Sequence, residues 1–310
     1  MSAKFIEGFG NKLAEQWVAT SLTPAFVFWA GVCIAAIQKY GWDNFSQWFT
    51  PLKEPLQIAS LFVIFFAISI SAFIIQRLDR NVIRILEGYW RKIPLLSLFI
   101  DIRINCHKKK RDKLDQEFNG LNSSPRSTYQ DRAKFVQLDS QLRHYPGEDQ
   151  DILPTRLGNI LRAAECRPLE RYGLDAIVVW TRLWILLPDG VRADLQAARS
   201  DLNTAARVWL WSVFFCILGV ILFFAWNIVW MGPIGLISAT FTYYFWLLET
   251  ATSYCDLIDA VFDLHRITLY KSLCLKFPTN PKQEIESGQK ITEYLWRGSD
   301  ADTPTFEPPT

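Results

Sequence analysis

The sequence feature that most constrains the fold is a run of 41 residues, Val208 to Leu248, without a single Asp, Glu, Lys, Arg or His. A helix needs about 20 apolar residues to cross the hydrocarbon core of a bilayer, so the run is twice as long as one span requires. Gly232 and Pro233 interrupt it, and a Gly-Pro pair favours a turn. The run therefore predicts a hairpin of two membrane spans, at 208–230 and 234–248.

Two further uncharged stretches lie nearer the N-terminus, and they predict spans at 18–38 and 55–76. The alternative is a soluble protein with buried core helices, but lone buried helices rarely run so long without a charge. Six cysteines show no CxxC pair and favour reduced thiols over a disulfide framework. The expected fold class is all-α, a four-helix transmembrane bundle of two hairpins with a helical, membrane-proximal cytoplasmic domain.

The distribution of Lys and Arg predicts the orientation of the spans. Twelve of these residues flank the spans on one side and two, Lys39 and Lys53, on the other. Positively charged segments stay on the cytoplasmic side. We therefore expect both termini and the central segment to be cytoplasmic, most simply at a bacterial inner membrane.

Outside the spans, polarity and turn-forming residues divide the chain further. The predicted parts are an interfacial amphipathic helix at 1–17, a cytoplasmic helical domain at 77–207 with a polar linker at 119–154, a cytoplasmic helix at 249–276, and a tail at 277–310 with a disordered end. Residues 172–187 are apolar on nearly every side. They could form a buried, interfacial or re-entrant helix, and we favour burial.

Two charge stripes are the first candidate functional feature, because spacings of three and four residues place each stripe on one helix face. The basic stripe comprises Arg77, Arg80, Arg84 and Arg91, and the acidic stripe comprises Glu249, Asp256, Asp259 and Asp263. The stripes could pair with each other within or between subunits. Alternatively, one of them could line an aqueous vestibule in a ring of subunits.

Two other features have both a functional and an ordinary interpretation. The run Lys108, Lys109, Lys110 and Arg111 could attract anionic lipid at about 1 kcal/mol per charge, or it could be a plain solvated helix face. The bulky side chains Phe62, Phe65, Phe66 and Ile70 of the second span could form a hydrophobic constriction that gates by dewetting. Ordinary lipid contact is the simpler interpretation of these four residues.

Signatures of enzymes and cofactor sites are missing from the sequence. The three histidines are far apart, and no phosphate-binding loop or nucleophile-elbow motif occurs. The basic run lacks the aromatic interleaving of a single-strand nucleic-acid platform. We therefore expect no catalytic site, no cofactor, no metal and no nucleic-acid partner, although an enzyme acting on lipid remains an alternative.

One segment carries a resemblance to a known group of proteins. Residues 153–165 (LPTRLGNILRAAE) and 171–176 (RYGLDA) resemble a segment of an uncharacterised family of bacterial multi-pass membrane proteins. That resemblance implies no activity, ligand or site residue. The layout of two span pairs around a helical insert is also similar, in architecture, to bestrophin-type channels.

Two functions are compatible with these features. The first is a non-enzymatic homo-oligomer that forms or regulates an ion passage, suggested by the charge stripes and the aromatic second span. The second is a membrane-anchored scaffold or sensor that recruits a cytoplasmic protein through residues 103–206. The bilayer itself is the remaining expected partner.

Overall fold

The computed structural model of the chain describes residues 17–89, 97–122, 129–298 and 304–306. Within these ranges every regular element is helical, apart from one isolated bridge between Leu275 and Phe306. The all-α fold class is therefore confirmed. The amphipathic helix predicted at 1–17 lies, except for Trp17, outside the described residues.

A π-helical turn at Val18–Leu22 leads into the first of the described α-helices. In chain order they are α1 (Thr23–Tyr40), α2 (Trp42–Phe49), α3 (Glu54–Arg77), α4 (Asp79–Glu87), α5 (Ser97–Asn122), α6 (Tyr129–Leu142), α7 (Arg156–Tyr172), α8 (Ala176–Leu186), α9 (Asp189–Trp226), α10 (Met231–Phe241), α11 (Leu248–Ser272) and α12 (Pro281–Arg297). A second π-helical turn, Thr242–Leu247, joins α10 to α11.

Four helical stretches are long and apolar enough to cross a membrane: Val18–Tyr40, Glu54–Arg77, Asp189–Trp226 and Met231–Ser272. The prediction of four spans is confirmed, and the chain is a multi-pass membrane protein. The last two stretches, at 38 and 42 residues, are longer than a single crossing requires.

The turn of the second hairpin does not lie where the sequence pattern predicts it. The helix α9 ends at Trp226, Asn227 adopts a left-handed conformation with φ 58°, and α10 already begins at Met231. Pro233 therefore sits in the first turn of α10, where its missing N–H would be unpaired in any helix. The Gly-Pro pair begins the fourth span instead of forming the turn.

The contacts divide the chain into two compact units. We call residues 1–83 and 201–247 the span unit, and residues 84–200 and 248–310 the helical domain. Each is described by itself below.

In the span unit, small residues allow close approach between neighbouring helices. The Cα atoms of Gly219 and Gly235 lie against the backbones of Gly232 and Cys216, so a Cβ at either glycine would overlap main-chain atoms. Gly31 lies in the same way against the ring of Phe215. Close packing of this kind holds spans together where burial from water gives no driving force between helices.

A buried ion pair connects the ends of three spans. Arg207 on α9, 8% exposed, donates from Nε to Asp79 Oδ1 at 2.8 Å and from Nη2 to Oδ2 at 2.5 Å. Its Nη1 also donates to the hydroxyl of Ser21, at 2.7 Å, in the π-helical turn that precedes α1. A bidentate guanidinium–carboxylate pair is both strong and geometrically specific. It therefore fixes the register of α9 against the start of α1 and the end of α3.

The helical domain has its own hydrophobic core. The core is formed chiefly by Leu174, Val179, Leu183, Leu195, Val261, Phe262, Leu269, Tyr270 and Ile291, all nearly inaccessible to solvent. Ile291 belongs to α12, so the segment predicted as a tail at 277–310 contains a helix that completes the core. Asn280 caps α12 by accepting from the Gln283 N–H at 3.0 Å, and Pro281 is the first residue of this helix. Proline suits the first turn of a helix, so Pro281 begins α12 as well as marking the end of the preceding apolar segment.

The linker predicted at 119–154 is wrong for residues 129–142, which form α6. Phe135 stacks on Phe118 of α5 with ring centroids 4.5 Å apart, and Leu138 is buried. The segment was predicted as a linker because its composition is polar and only a narrow stripe of α6 is apolar. Residues 123–128 lie outside the described residues.

The helix α8 within residues 172–187 is buried on one face only. Ala176, Val179 and Leu183 point into the core, whereas Ile177 and Ile185 on the other face are 71% and 69% exposed. The expectation of complete burial is therefore wrong for the outer face of α8.

The buried ion pair of the span unit leads to the first prediction. Substituting Asp79→Asn leaves the Arg207 guanidinium buried without a counter-charge, which costs about 3–5 kcal/mol in comparable pairs. We expect a clear fall in the thermal unfolding temperature of the detergent-solubilised protein. Asp43→Asn, at an exposed acid on α2, serves as the control and should unfold like the wild type.

The double substitution Asp79→Leu with Arg207→Met removes both charges and should recover much of the lost stability. Equal unfolding temperatures for Asp79→Asn and Asp43→Asn would show that the ion pair does not stabilise the spans.

Candidate functional sites

The basic stripe is exposed where the structure describes it. Arg77, Arg80 and Arg84 are all solvent-accessible, and the Arg77 guanidinium lies 5.7 Å from the ring centroid of Phe73 on its own helix. Arg91 lies outside the described residues. Exposed arginines of this kind are available for a further contact, so the pairing of the two stripes stays a prediction.

Two residues of the acidic stripe contact residues of α7, a pairing that we did not predict from the sequence. Asp259 forms a short ion pair with Arg167, and Asp263 accepts from the Tyr172 hydroxyl and lies 3.9 Å from Arg171. Glu249 and Asp256 are exposed. Half of the acidic stripe thus stabilises the packing of α11 on α7.

A signal for these pairs was present in the sequence. Arg167 and Arg171 are four residues apart, as are Asp259 and Asp263, so each pair shares one helix face. The guanidinium of Arg167 also donates to the carbonyl of Arg143, and burial lowers its pKa from the ordinary value. Matching this spacing across helices would have identified α7 as a partner of α11.

The polybasic run is partly used inside the helical domain. Lys108 lies 3.4 Å from Asp149, and Arg111 lies 2.5 Å from the same carboxylate and donates to the Gly147 carbonyl. Lys109 and Lys110 are exposed. Among the four residues predicted to contact lipid, Lys109 and Lys110 are therefore the two that form no ion pair among the described residues.

Next to this run, His107 is buried and held neutral. Burial and the neighbouring positive charges of Arg103 and Lys110 lower its pKa to about 4. Its Nδ1 lies 3.3 Å from the Tyr145 hydroxyl. His107 is therefore a structural residue at neutral pH, and within the described residues no three His, Cys, Asp or Glu side chains are grouped as a metal site would require.

The predicted constriction residues are largely exposed in the span unit. Phe62 and Phe66 are 70% and 66% exposed, and Phe65 and Ile70 are about half exposed. Buried residues of α3 occur only further along it, at Ile68, Ala72 and Ile75. Phe65 also lies against Phe26 of α1, with ring centroids 6.0 Å apart. The part of α3 that carries Phe62, Phe65 and Phe66, which we call its aromatic half, therefore leaves most of its surface to lipid or to another molecule.

A cavity in the helical domain was not predicted. It has a volume of about 320 Å³, and α4, α7, α8, α9 and α11 each contribute to its wall. The charged groups that line it are Glu87, Glu165 and Arg199, beside the aromatic rings of Trp180 and Tyr254. We call it the Glu87 cavity.

Small residues create the space, and local structure positions the acid. Ala164 and Ala176 line the cavity on α7 and α8. Glu87 is the last residue of α4, and its main-chain carbonyl accepts from the Thr155 hydroxyl at 3.0 Å. Gly88 follows with φ 96°, a left-handed conformation that favours glycine. The end of α4 is thus held beside the N-terminus of α7.

The three charges in the cavity are not equivalent. Glu165 is partly neutralised by Arg162, whose Nη1 lies 3.1 Å from its carboxylate. The guanidinium of Arg199 lies 5.4 Å from the ring centroid of Tyr254. Glu87 forms no ion pair within the described residues, and burial, together with the negative charge of Glu165, raises its pKa to about 7.

Comparisons with known proteins identify no relative of this chain: no protein-family model, no curated protein and no solved structure matches it. Its function is therefore inferred from the geometry of the chain itself.

The raised pKa of Glu87 leads to the second prediction. Between the ordinary value of 4.5 and about 7, the folded protein holds a proton that the unfolded chain releases, so this group lowers stability as the pH rises through that window. Glu87→Gln removes the charge and should raise the unfolding temperature at pH 8 relative to the wild type. The difference should become much smaller as the pH falls toward 4.5.

Thermal unfolding at several pH values measures this effect. Glu170→Gln, at an exposed acid of α7 that does not line the cavity, is the matched control and should change stability equally at all pH values. A Glu87→Gln profile parallel to that of the wild type would contradict the raised pKa.

Proposed function

We propose that this multi-pass protein is non-enzymatic, that its copies associate through α3, and that the assembly forms or regulates a passage for ions across the membrane. The observation that carries the proposal is the exposed aromatic half of α3. Phe62 and Phe66 occupy a part of the span that its own unit leaves largely uncovered, and Phe65 beside them is about half exposed.

The character of the spans supports this proposal over a proton- or ion-coupled transporter. Transporters of that kind place ionisable side chains within the membrane. Here the stretches 55–76 and 208–248 contain no Asp, Glu, Lys, Arg or His. A ring of bulky apolar side chains can instead control ion flow by excluding water from a narrow segment.

The exposed basic stripe supplies the charge that such a passage would use. Arg80 is accessible shortly after the end of α3, so in a ring of subunits its copies would come together near one mouth. Rings of arginine favour anions over cations. Arg80→Glu is therefore expected to shift the selectivity toward cations.

The third prediction tests the constriction directly. Phe66→Ala shortens a side chain that would narrow the passage, so ion flux through the purified protein in liposomes should rise several-fold. Phe224→Ala is the matched control, since Phe224 on α9 is also a highly exposed aromatic residue of a span. It should leave the flux unchanged.

The oligomeric state is measured on the same samples by mass analysis of the detergent-solubilised particle. The proposal is overturned by a monomeric particle, or by a wild type and a Phe66→Ala variant that both carry no flux under any applied voltage.

A membrane-anchored scaffold is the second candidate function, favoured by the outer face of α8. Ile177 and Ile185 are exposed there within residues 103–206, on either side of the exposed Arg182. Apolar side chains rimmed by charge are typical of a surface that a protein partner covers.

The fourth prediction addresses this candidate. A soluble protein that recognises α8 should co-purify with the wild type in fixed stoichiometry, and the amount retained should fall by at least an order of magnitude with Ile185→Asp. Leu264→Asp, at a comparably exposed apolar residue of α11, should retain it. Equal retention by both variants would exclude α8 as the recruiting surface.

A further inference from the structure

The Glu87 cavity has the features of a binding site for a small molecule. Its volume of about 320 Å³ lies at the lower end of the range for ligand pockets. Its wall combines an apolar part, formed by Leu161, Ala164, Ile177 and Ile258, with a few charged groups at one region. Such a combination of apolar surface and few polar groups is what fixes a ligand in one orientation.

The charged groups in the wall favour a positively charged ligand over a negatively charged one. Two carboxylates, Glu87 and Glu165, face one guanidinium, Arg199. An anion placed there would meet a carboxylate on two of the helices that form the wall. A cation would instead give Glu87 the ion pair that it lacks among the described residues.

The aromatic residues favour an organic cation over a metal ion. Trp180 and Tyr254 line the same cavity, and aromatic rings attract ammonium groups through their π faces. A metal ion is disfavoured because the described residues contain no group of three or more His, Cys, Asp or Glu side chains that could hold one.

We propose that the Glu87 cavity binds a small organic cation, with its ammonium group at Glu87 and Glu165 and its apolar substituent against Leu161, Ile258 and Trp180. This inference concerns the helical domain alone and holds whether or not the spans conduct ions.

Binding should depend on pH in a defined direction. The charged or titratable groups around Glu87 are Arg84 on its own helix, Tyr89 just after that helix, Glu165 on α7, Arg199 on α9, and Tyr254 and Cys255 on α11. Because the pKa of Glu87 is about 7, its carboxylate is mostly charged at pH 8 and mostly protonated at pH 6. An alkylammonium ion stays charged over this range, so its affinity should be about tenfold lower at pH 6.

The test uses the full-length protein in detergent and isothermal titration calorimetry with three amines: phenylethylamine, 3-methylbutylamine and choline. We expect saturable binding of at least one amine with a dissociation constant of about 1 mM or tighter. For a binding primary amine, the neutral alcohol of the same shape should bind at least tenfold more weakly.

Two variants connect the binding to this cavity. Glu87→Gln should weaken the amine at least tenfold at pH 8 and abolish the pH dependence, whereas the control Glu170→Gln should bind like the wild type. Thr181→Trp adds a large ring at an exposed residue of the cavity wall and should block binding without disturbing the core.

Three results would overturn the proposal: no saturable binding of any of the three amines, equal affinity for amine and alcohol, or unchanged amine binding in folded Glu87→Gln and Thr181→Trp proteins. Ion flux in liposomes is measured separately, so a failure of the channel proposal and a failure of the amine site give different results.

Discussion

The ion pair between Arg207 and Asp79 is the interaction on which the arrangement of the spans depends. Van der Waals packing between spans is distributed and weakly directional, since lipid tails solvate apolar side chains about as well as other helices do. A bidentate guanidinium–carboxylate pair has one geometry. With the Ser21 hydroxyl as a third partner, it gives α9 a single register against the start of α1 and the end of α3.

Glycines then allow the close contacts that this register brings together. Gly219 and Gly235 let α9 and α10 approach through their backbones, and Gly31 accommodates the ring of Phe215. The helix α3 contains no glycine, and its aromatic half remains largely exposed. The span unit therefore combines a specific, closely packed side with an apolar side whose contacts are left to lipid or to other copies of the chain.

Features encoded locally could be predicted, and those that depend on tertiary contacts could not. The absence of charged side chains over 208–248 predicts two spans because a charged side chain at any of these positions would be costly to bury in the bilayer. The position of their turn was wrong because Pro233 suits the first turn of a helix as well as it suits a loop. The helix α6 was missed because its stability comes from the Phe118–Phe135 stack. The Glu87 cavity was missed because its wall comes from five helices, with residues from 87 to 258.

The position of α12 late in the sequence affects when the helical domain can fold during synthesis. Gly173, in the left-handed conformation at the end of α7, and Gly288 of α12 touch so closely that neither position has room for a side chain, and Ile291 enters the core beside them. The ribosome synthesises α12 after all four spans and after every other described helix. The hydrophobic core of the helical domain therefore stays open on one side until α12 has been synthesised. Insertion of the spans into the bilayer can begin before the domain closes, and the core is completed only once α12 has emerged from the ribosome.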